Sequence, residues 1–173
     1  MIELKLENPH VKWTLLRNIK DQIIMKYGFV MDDVDEHKPW GAYYRFPLEQ
    51  KQKFLDLFFP DMDPAEVPGE VHTKVMVFEP GKKLSLQYHA RRDEIWVVLY
   101  GEIEAYIGEG DEVGEYTTYL PGQSFTYNAG MRHKAGASVN GCAVIAEIWR
   151  HTDQNHLSTE EDNTRISDDY GRA

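Results

Sequence analysis

The chain holds a single cysteine, Cys142, among 173 residues. An internal disulfide is thereby excluded, and the usage suits a reducing compartment. Cys142 lies in an apolar run and is expected to be buried. Long hydrophobic stretches are also missing: none approaches the roughly 20 apolar residues that a membrane-spanning helix requires. The opening MIELKLENPH lacks an apolar segment flanked by basic residues, so no leader is expected and a cytoplasmic location is the default. Positive charge is scarce, with 19 basic against 29 acidic residues and a net charge of -10. Duplex binding depends on a basic face that neutralises phosphates, so nucleic acid is excluded as a partner. Neither an internal repeat nor a low-complexity tract is present.

What is there fits one ordinary domain with an appendage. Asn8-Pro9 is a good helix start, and Val11, Leu15, Leu16, Ile19, Ile23 and Ile24 recur at helical spacing until Gly28. An amphipathic N-terminal helix is predicted, followed by an acidic connector from Met31 to Glu36. Lys38-Pro39-Trp40-Gly41 opens a short aromatic strand over Ala42 to Phe46, Leu48 to Phe59 reads as a second helix, and Pro60 to Gly69, with three prolines, reads as a loop. From Val71 to Arg150 short strand-like runs follow one another: VHTKVMVFE, LSLQYH, EIWVVLY, EIEAYIG, EYTTYL, SFTY and CAVIAEIWR. Their regular spacing between glycine, proline and polar breaks predicts an all-β barrel or jelly roll. The tail from His151 to Ala173 is polar and acidic.

Two glycine-framed segments carry the chemistry. Successive side chains in a strand alternate between faces, so Ser85, Gln87 and His89 share one face and Leu84, Leu86 and Tyr88 the other. Ala90 to Asp93 is short enough for a tight connection, with Glu94 to Tyr100 as the return strand, which would turn Glu94 toward Gln87 and His89. The second segment, Gly122 to His133, supplies His133 from a later strand. One amide, two imidazoles and one carboxylate form the predicted metal set Gln87, His89, Glu94 and His133. That donor set suits a borderline divalent ion, zinc first and manganese, iron or nickel as alternatives, with one or two positions left for water or substrate. Glu147, a carboxylate in the apolar run AVIAEIW, must be paired, ligated or proton-active to justify burial there. Its alternative is a plain structural hydrogen bond.

The two segments resemble those of the cupin superfamily, with Gln87 where the first histidine usually stands and Asn128 where the second motif usually has proline. Three stretches, Lys38 to Gly41, Lys74 to Gly101 and Glu161 to Arg172, are similar to the cupin domain of type II mannose-6-phosphate isomerases. In bacteria that domain often forms the C-terminal part of a bifunctional enzyme that also has mannose-1-phosphate guanylyltransferase activity. The resemblance implies a double-stranded β-helix, or jelly-roll barrel, over residues 37 to 173, with residues 1 to 36 as an N-terminal helical extension. It also implies a metal-dependent isomerase of mannose 6-phosphate and fructose 6-phosphate. Nothing in the chain resembles the glycine-rich start of the guanylyltransferase, so that activity is expected to be absent. Residues 1 to 36 and 47 to 70 have no counterpart in the family pattern, and either could narrow the pocket or form a dimer contact. A homodimer is expected.

An aldose-ketose isomerase moves a proton between adjacent carbons while sugar oxygens take on negative charge, which a bound divalent ion stabilises. By the resemblance Arg92 is the catalytic candidate, polarising the sugar or joining proton transfer; as a base it would need an unusual environment. Glu147 is the second catalytic candidate. Lys74 and Arg172, with Lys82, Lys83 and Arg91, could form a basic rim for a phosphosugar. Trp96, on the face of Glu94, is expected to point at the cavity and meet the substrate, whereas Trp40, Tyr88 and Tyr106 are first of all core aromatics. Two alternatives stand beside this reading: an isomerase or epimerase of another free or nucleotide-linked sugar, and a sugar-binding cupin without turnover.

Overall fold

The structure, a computed structural model, describes residues 4–6 and 11–172. The expected helix start at Asn8-Pro9 lies outside the described residues. The helix itself, α1 (Lys12–Ile19), continues as a wider π-helical turn through Lys20–Met25. That widening lets Ile23 and Ile24 stay on the buried face shared by Leu15, Leu16 and Ile19. Two strands follow, β1 (Asp33–Lys38) and β2 (Gly41–Phe46). The acidic connector expected between Met31 and Glu36 is therefore corrected: from Asp33 onward it is a sheet edge. Its carboxylates remain wet there, and Asp33 and Glu36 accept hydrogen bonds from Tyr43 and Tyr44 of β2. The second helix, α2 (Lys51–Phe58), buries Phe54, Leu55 and Phe58.

The remaining strands are β3 (Val71–Phe78), β4 (Leu86–Tyr88), β5 (Arg92–Tyr100), β6 (Ile103–Gly108), β7 (Thr117–Tyr119), β8 (Ser124–Tyr127), β9 (Arg132–Ala137), β10 (Ala143–His151) and β11 (Thr164–Ser167). They form two sheets, one ordered β1-β2-β3-β10-β5-β8 and the other β11-β4-β9-β6-β7, and every recorded pairing is antiparallel. One expectation fails here. Although only three residues separate β4 from β5, they do not form a hairpin: β4 pairs with β9 and β11, β5 with β10 and β8. The connection from Tyr88 to Arg92 crosses between sheets, as a barrel with two facing sheets requires.

Why β3, β5 and β10 read as continuous apolar runs is visible in their packing. Val144, Ala146 and Ile148 join the cluster beneath the N-terminal helix and α2, while Ala143 and Ile145 join the cluster inside the barrel. Ile95, Val97 and Leu99 alternate with Trp96 and Val98 in the same way. With both faces covered, the usual polar alternation disappears. The same alternation turns Lys74, Arg92, Glu94, Glu147 and Trp149 to the inner face, at the end of the barrel that the apolar residues leave unfilled. Gly101, at the β5–β6 turn, has φ 72°, and a Cβ there would stand 2.1 Å from the Cys142 carbonyl oxygen. Only glycine lets this turn close against the start of β10. Among the described residues, no helix is long and apolar enough to cross a membrane.

Candidate metal centre and cavity

Three of the four expected donors meet. His89, Glu94 and His133, all buried, offer ligand atoms within 4.8 Å of one another. His89 Nε2 is 3.1 Å from Glu94 Oε1, and His133 Nε2 is 3.8 Å from Glu94 Oε2. The two sheets contribute from opposite sides, with β9 carrying His133, β5 carrying Glu94 and His89 standing one residue past β4. Each imidazole is oriented from behind. His89 Nδ1 donates to the Asp162 carbonyl at 2.7 Å, and His133 Nδ1 donates to the Met131 carbonyl at 3.1 Å. A carbonyl can only accept, so both rings carry a proton on Nδ1 and turn Nε2 inward. His133 Nε2 is buried with no hydrogen-bond partner, the condition of an atom awaiting a ligand. Burial pushes His133 down to about 4, against the pull of Glu94, so near neutral pH its lone pair is free. Burial alone would raise the Glu94 carboxyl, but His89 and Arg92 beside it hold it well below the ordinary range. Two imidazoles and a carboxylate converging at these distances fit a divalent cation.

Gln87 reaches the edge of this group. It pairs with His133 across β4 and β9, but its Oε1 accepts from Ser85 Oγ at 2.7 Å and its Nε2 lies 3.4 Å from His89 Nε2. Rotation of the amide would turn its oxygen to the cluster, which makes Gln87 a fourth donor of a different standing from the other three.

Beside the cluster opens a cavity of about 250 Å³. Gln87, Glu94, Arg92, Glu147, Lys74 and Arg172 all line it, together with Trp40, Tyr43, Trp149, Lys38, Glu160 and Arg165. Glu147 is held by one hydrogen bond, from Trp96 Nε1 to Oε1 at 3.0 Å, while its Oε2 is buried without a partner. Burial, reinforced by the charge of Glu94, pushes its carboxyl up to about 8, with Lys74 and Arg92 pulling the other way. Arg92 is fixed on every side. Its Nε donates to Glu94 Oε1 at 2.8 Å, its Nη1 to Ser158 Oγ and the Thr159 carbonyl at 2.9 and 3.0 Å, and its Nη2 lies 3.1 Å from His89 Nε2.

Other expectations change. Trp96 is 0% exposed and packs on Phe78, Phe125 and Tyr127 behind the cavity, so it has no surface to offer a sugar; its indole N–H is bonded to Glu147 instead. Its face was read correctly, but on that stretch of β5 the inner face is already core. Lys74 and Arg172 do reach the cavity, each tied to an acid: Lys74 to Glu160 at 2.8 Å, Arg172 to Asp168 at 2.6 Å. Lys82, Lys83 and Arg91 are not in the cavity wall, and Lys83 is spent on Glu104 at 2.7 Å. The polar tail holds residues that sequence reasoning passed over. Asp162 accepts from the backbone N–H groups of Ala90 and Arg91 and from the Ser158 hydroxyl, locking the turn that carries His89. Arg165, opposite Gln87 on β11, lines the cavity with no ion pair or hydrogen bond among the described residues. The resemblance over Glu161 to Arg172 was the one available signal for them.

No protein-family model matches the chain. The xanthan biosynthesis protein XanB of Xanthomonas campestris pv. campestris strain B100 is 28% identical over 141 residues, covering 79% of this chain and 23% of that protein. The corresponding protein of a second strain, ATCC 33913, is 27% identical over the same length. The chain thus spans about a quarter of the length of the curated relatives it matches. Among solved structures, the oxalate decarboxylase of Bacillus subtilis, a protein with Mn(II) centres, superposes with a TM-score of 0.54 at 13% identity, over 79% of this chain and 31% of that one. Two antiparallel sheets facing each other around a buried histidine–glutamate cluster, and this superposition, show a double-stranded β-helix fold, preceded by a helical N-terminal extension.

Proposed function

We propose that the chain is a metal-dependent aldose–ketose isomerase of a sugar phosphate, with mannose 6-phosphate and fructose 6-phosphate as the first pair to test. The observation that carries the reading is the pairing, in one small cavity, of a cation-ready cluster with a buried carboxyl, Glu147, that has one bare oxygen. A divalent ion held by His89, Glu94 and His133, with Gln87 as the added donor, would supply Lewis-acid stabilisation of the sugar oxygens. The chain's own residues do the rest. Glu147 takes the proton from C2 of the aldose and returns it to C1, while the hydroxyl proton passes from the C2 oxygen to the C1 oxygen. Its raised pKa, close to the working pH, suits a group that must both accept and release a proton. Arg92, ion-paired with Glu94, serves as a fixed positive charge over the developing enediolate rather than as the base.

Cations outnumber acids in the wall, five (Lys38, Lys74, Arg92, Arg165, Arg172) against three (Glu94, Glu147, Glu160), on a protein of net charge -10. Arg165, which has no acid partner, is the group we assign to the phosphate. A relative named for xanthan biosynthesis, xanthan being a polysaccharide, supports a sugar substrate. The test is a coupled assay on both sugar phosphates, after exhaustive chelation and after zinc or manganese is restored, with free mannose alongside. Turnover that needs the metal and prefers the phosphorylated sugar is expected. Undiminished turnover without metal, or none on any sugar phosphate, overturns the proposal.

A further inference from the structure

Trp149 has no place in the reaction as written, yet two of the cavity's cations lie over its ring. It is 3% exposed and sits on the inner face of β10, the strand between β3 and β5. From the β5 side the Arg92 guanidinium carbon comes 3.5 Å from its ring centroid; from the β3 side the Lys74 ammonium comes 3.6 Å from it. Its indole N–H is buried with no hydrogen-bond partner among the described residues.

We infer that Trp149 is the positioning residue that holds Arg92 and Lys74 apart and aimed into the cavity. The two like charges stand on strands separated only by β10, and each already leans on its own acid, Arg92 on Glu94 and Lys74 on Glu160. An indole between them offers each cation a negative π surface, and that attraction strengthens where water is excluded. Guanidinium is the better partner because it stacks flat, which keeps its edge N–H groups free for Glu94, Ser158 and Thr159. Lys74 has a second aromatic neighbour, Tyr43 at 5.1 Å, so its head group rests in a partial cage closed by Glu160. An aliphatic side chain of similar bulk would fill the space but offer neither charge a π face. The consequence for turnover rests on the isomerase reading; the placement of the two cations does not.

The experiment separates the two. In ¹⁵N spectra of the arginine Nε–Hε groups, with Arg92 assigned through Arg92→Lys, wild-type Hε is expected to exchange slowly with water and to show an aromatic ring-current shift. Trp149→Leu and Trp149→Met should abolish that shift and speed exchange by about tenfold or more, whereas Trp149→Phe, which keeps a π face, should stay within about threefold of wild type. With mannose 6-phosphate, Trp149→Leu should raise KM about tenfold and Trp149→Phe should restore most of it. A wild-type Arg92 Hε that exchanges like a surface arginine, or one unmoved in the folded Met or Leu variant, overturns the inference. A protected Arg92 in an enzyme without isomerase turnover would sink the functional reading and leave Trp149's role standing.

Discussion

Replacing Arg92 by alanine should destabilise the fold far more than replacing it together with its partner. Arg92 and Glu94 are 3% and 2% exposed, so water screens neither and the pair cannot be treated as a surface salt bridge. Removing one member of a buried pair leaves a charge without compensation, at about 3–5 kcal/mol. For a fold whose whole stability is of the order of 5–15 kcal/mol, that is a large share. The Ser158 hydroxyl and the Thr159 carbonyl lose their donor at the same time. In Arg92→Ala/Glu94→Gln the charge itself is gone, so the double variant should be more stable than Arg92→Ala alone, with a coupling of about 1–3 kcal/mol. The cycle is read from urea unfolding at pH 7 followed by circular dichroism, in excess chelator so that no added cation takes the guanidinium's part. Single-variant costs that add within about 0.5 kcal/mol would refute the argument, because they would mean that Glu94 does not depend on Arg92 for its charge.

Three further outcomes follow from the geometry. Glu147→Gln keeps an acceptor for Trp96 but cannot carry a proton; turnover should fall by about 10²–10⁴ while zinc affinity, measured by calorimetry, stays within about twofold. A comparable loss of zinc binding would place Glu147 in the metal site instead. Gly136→Ala puts a Cβ 2.1 Å from the Lys82 carbonyl oxygen and 2.5 Å from Lys83 Cα, backbone that cannot rotate away. It should cost about 1–3 kcal/mol or more in urea unfolding and weaken zinc binding, since it pushes the approach to Gln87 off the strand carrying His133; a neutral variant would count against this packing. Burial holds His72 down to about 4 from its usual 6.5, with His151 ring-to-ring against it. Folding therefore favours the neutral ring: this contribution is complete above about pH 6.5 and is lost as pH falls through 4. His72→Phe should lose less stability than wild type between pH 7 and 4 in urea titrations, and equal slopes would show that His72 does not titrate with folding.

The β-rich class, the helical start and most strand positions were legible because they rest on local pattern. EIWVVLY and CAVIAEIWR are too apolar and β-branched to be anything but strands covered on both faces, and the residues from Leu15 to Ile24 mark a helix by spacing alone. Gln87, His89 and Glu94 were legible as a group from alternation, although the hairpin assumed for them does not exist. Strand β9, RHKAGA, has almost no hydrophobic signal; it is buried because Lys134 carries its charge out to Asp169 and the small residues fit between sheets. The tail offered no periodicity either, because Asp162, Ser158 and Glu160 earn their places through contacts with His89, Arg92 and Lys74, some 66 to 86 residues away in sequence.

By itself, then, the order of residues determined that the apolar runs become strands and which side chains are fit to bind a cation, since alternation and donor chemistry are properties of neighbours. Only the tertiary structure decided which sheet each strand joins, that Trp96 backs Glu147 instead of meeting a ligand, that Lys74 and Arg172 arrive already paired, and that Trp149 stands between two cations. Those outcomes depend on distances between groups far apart along the chain, and burial, charge compensation and ring contact have no value until folding sets those distances.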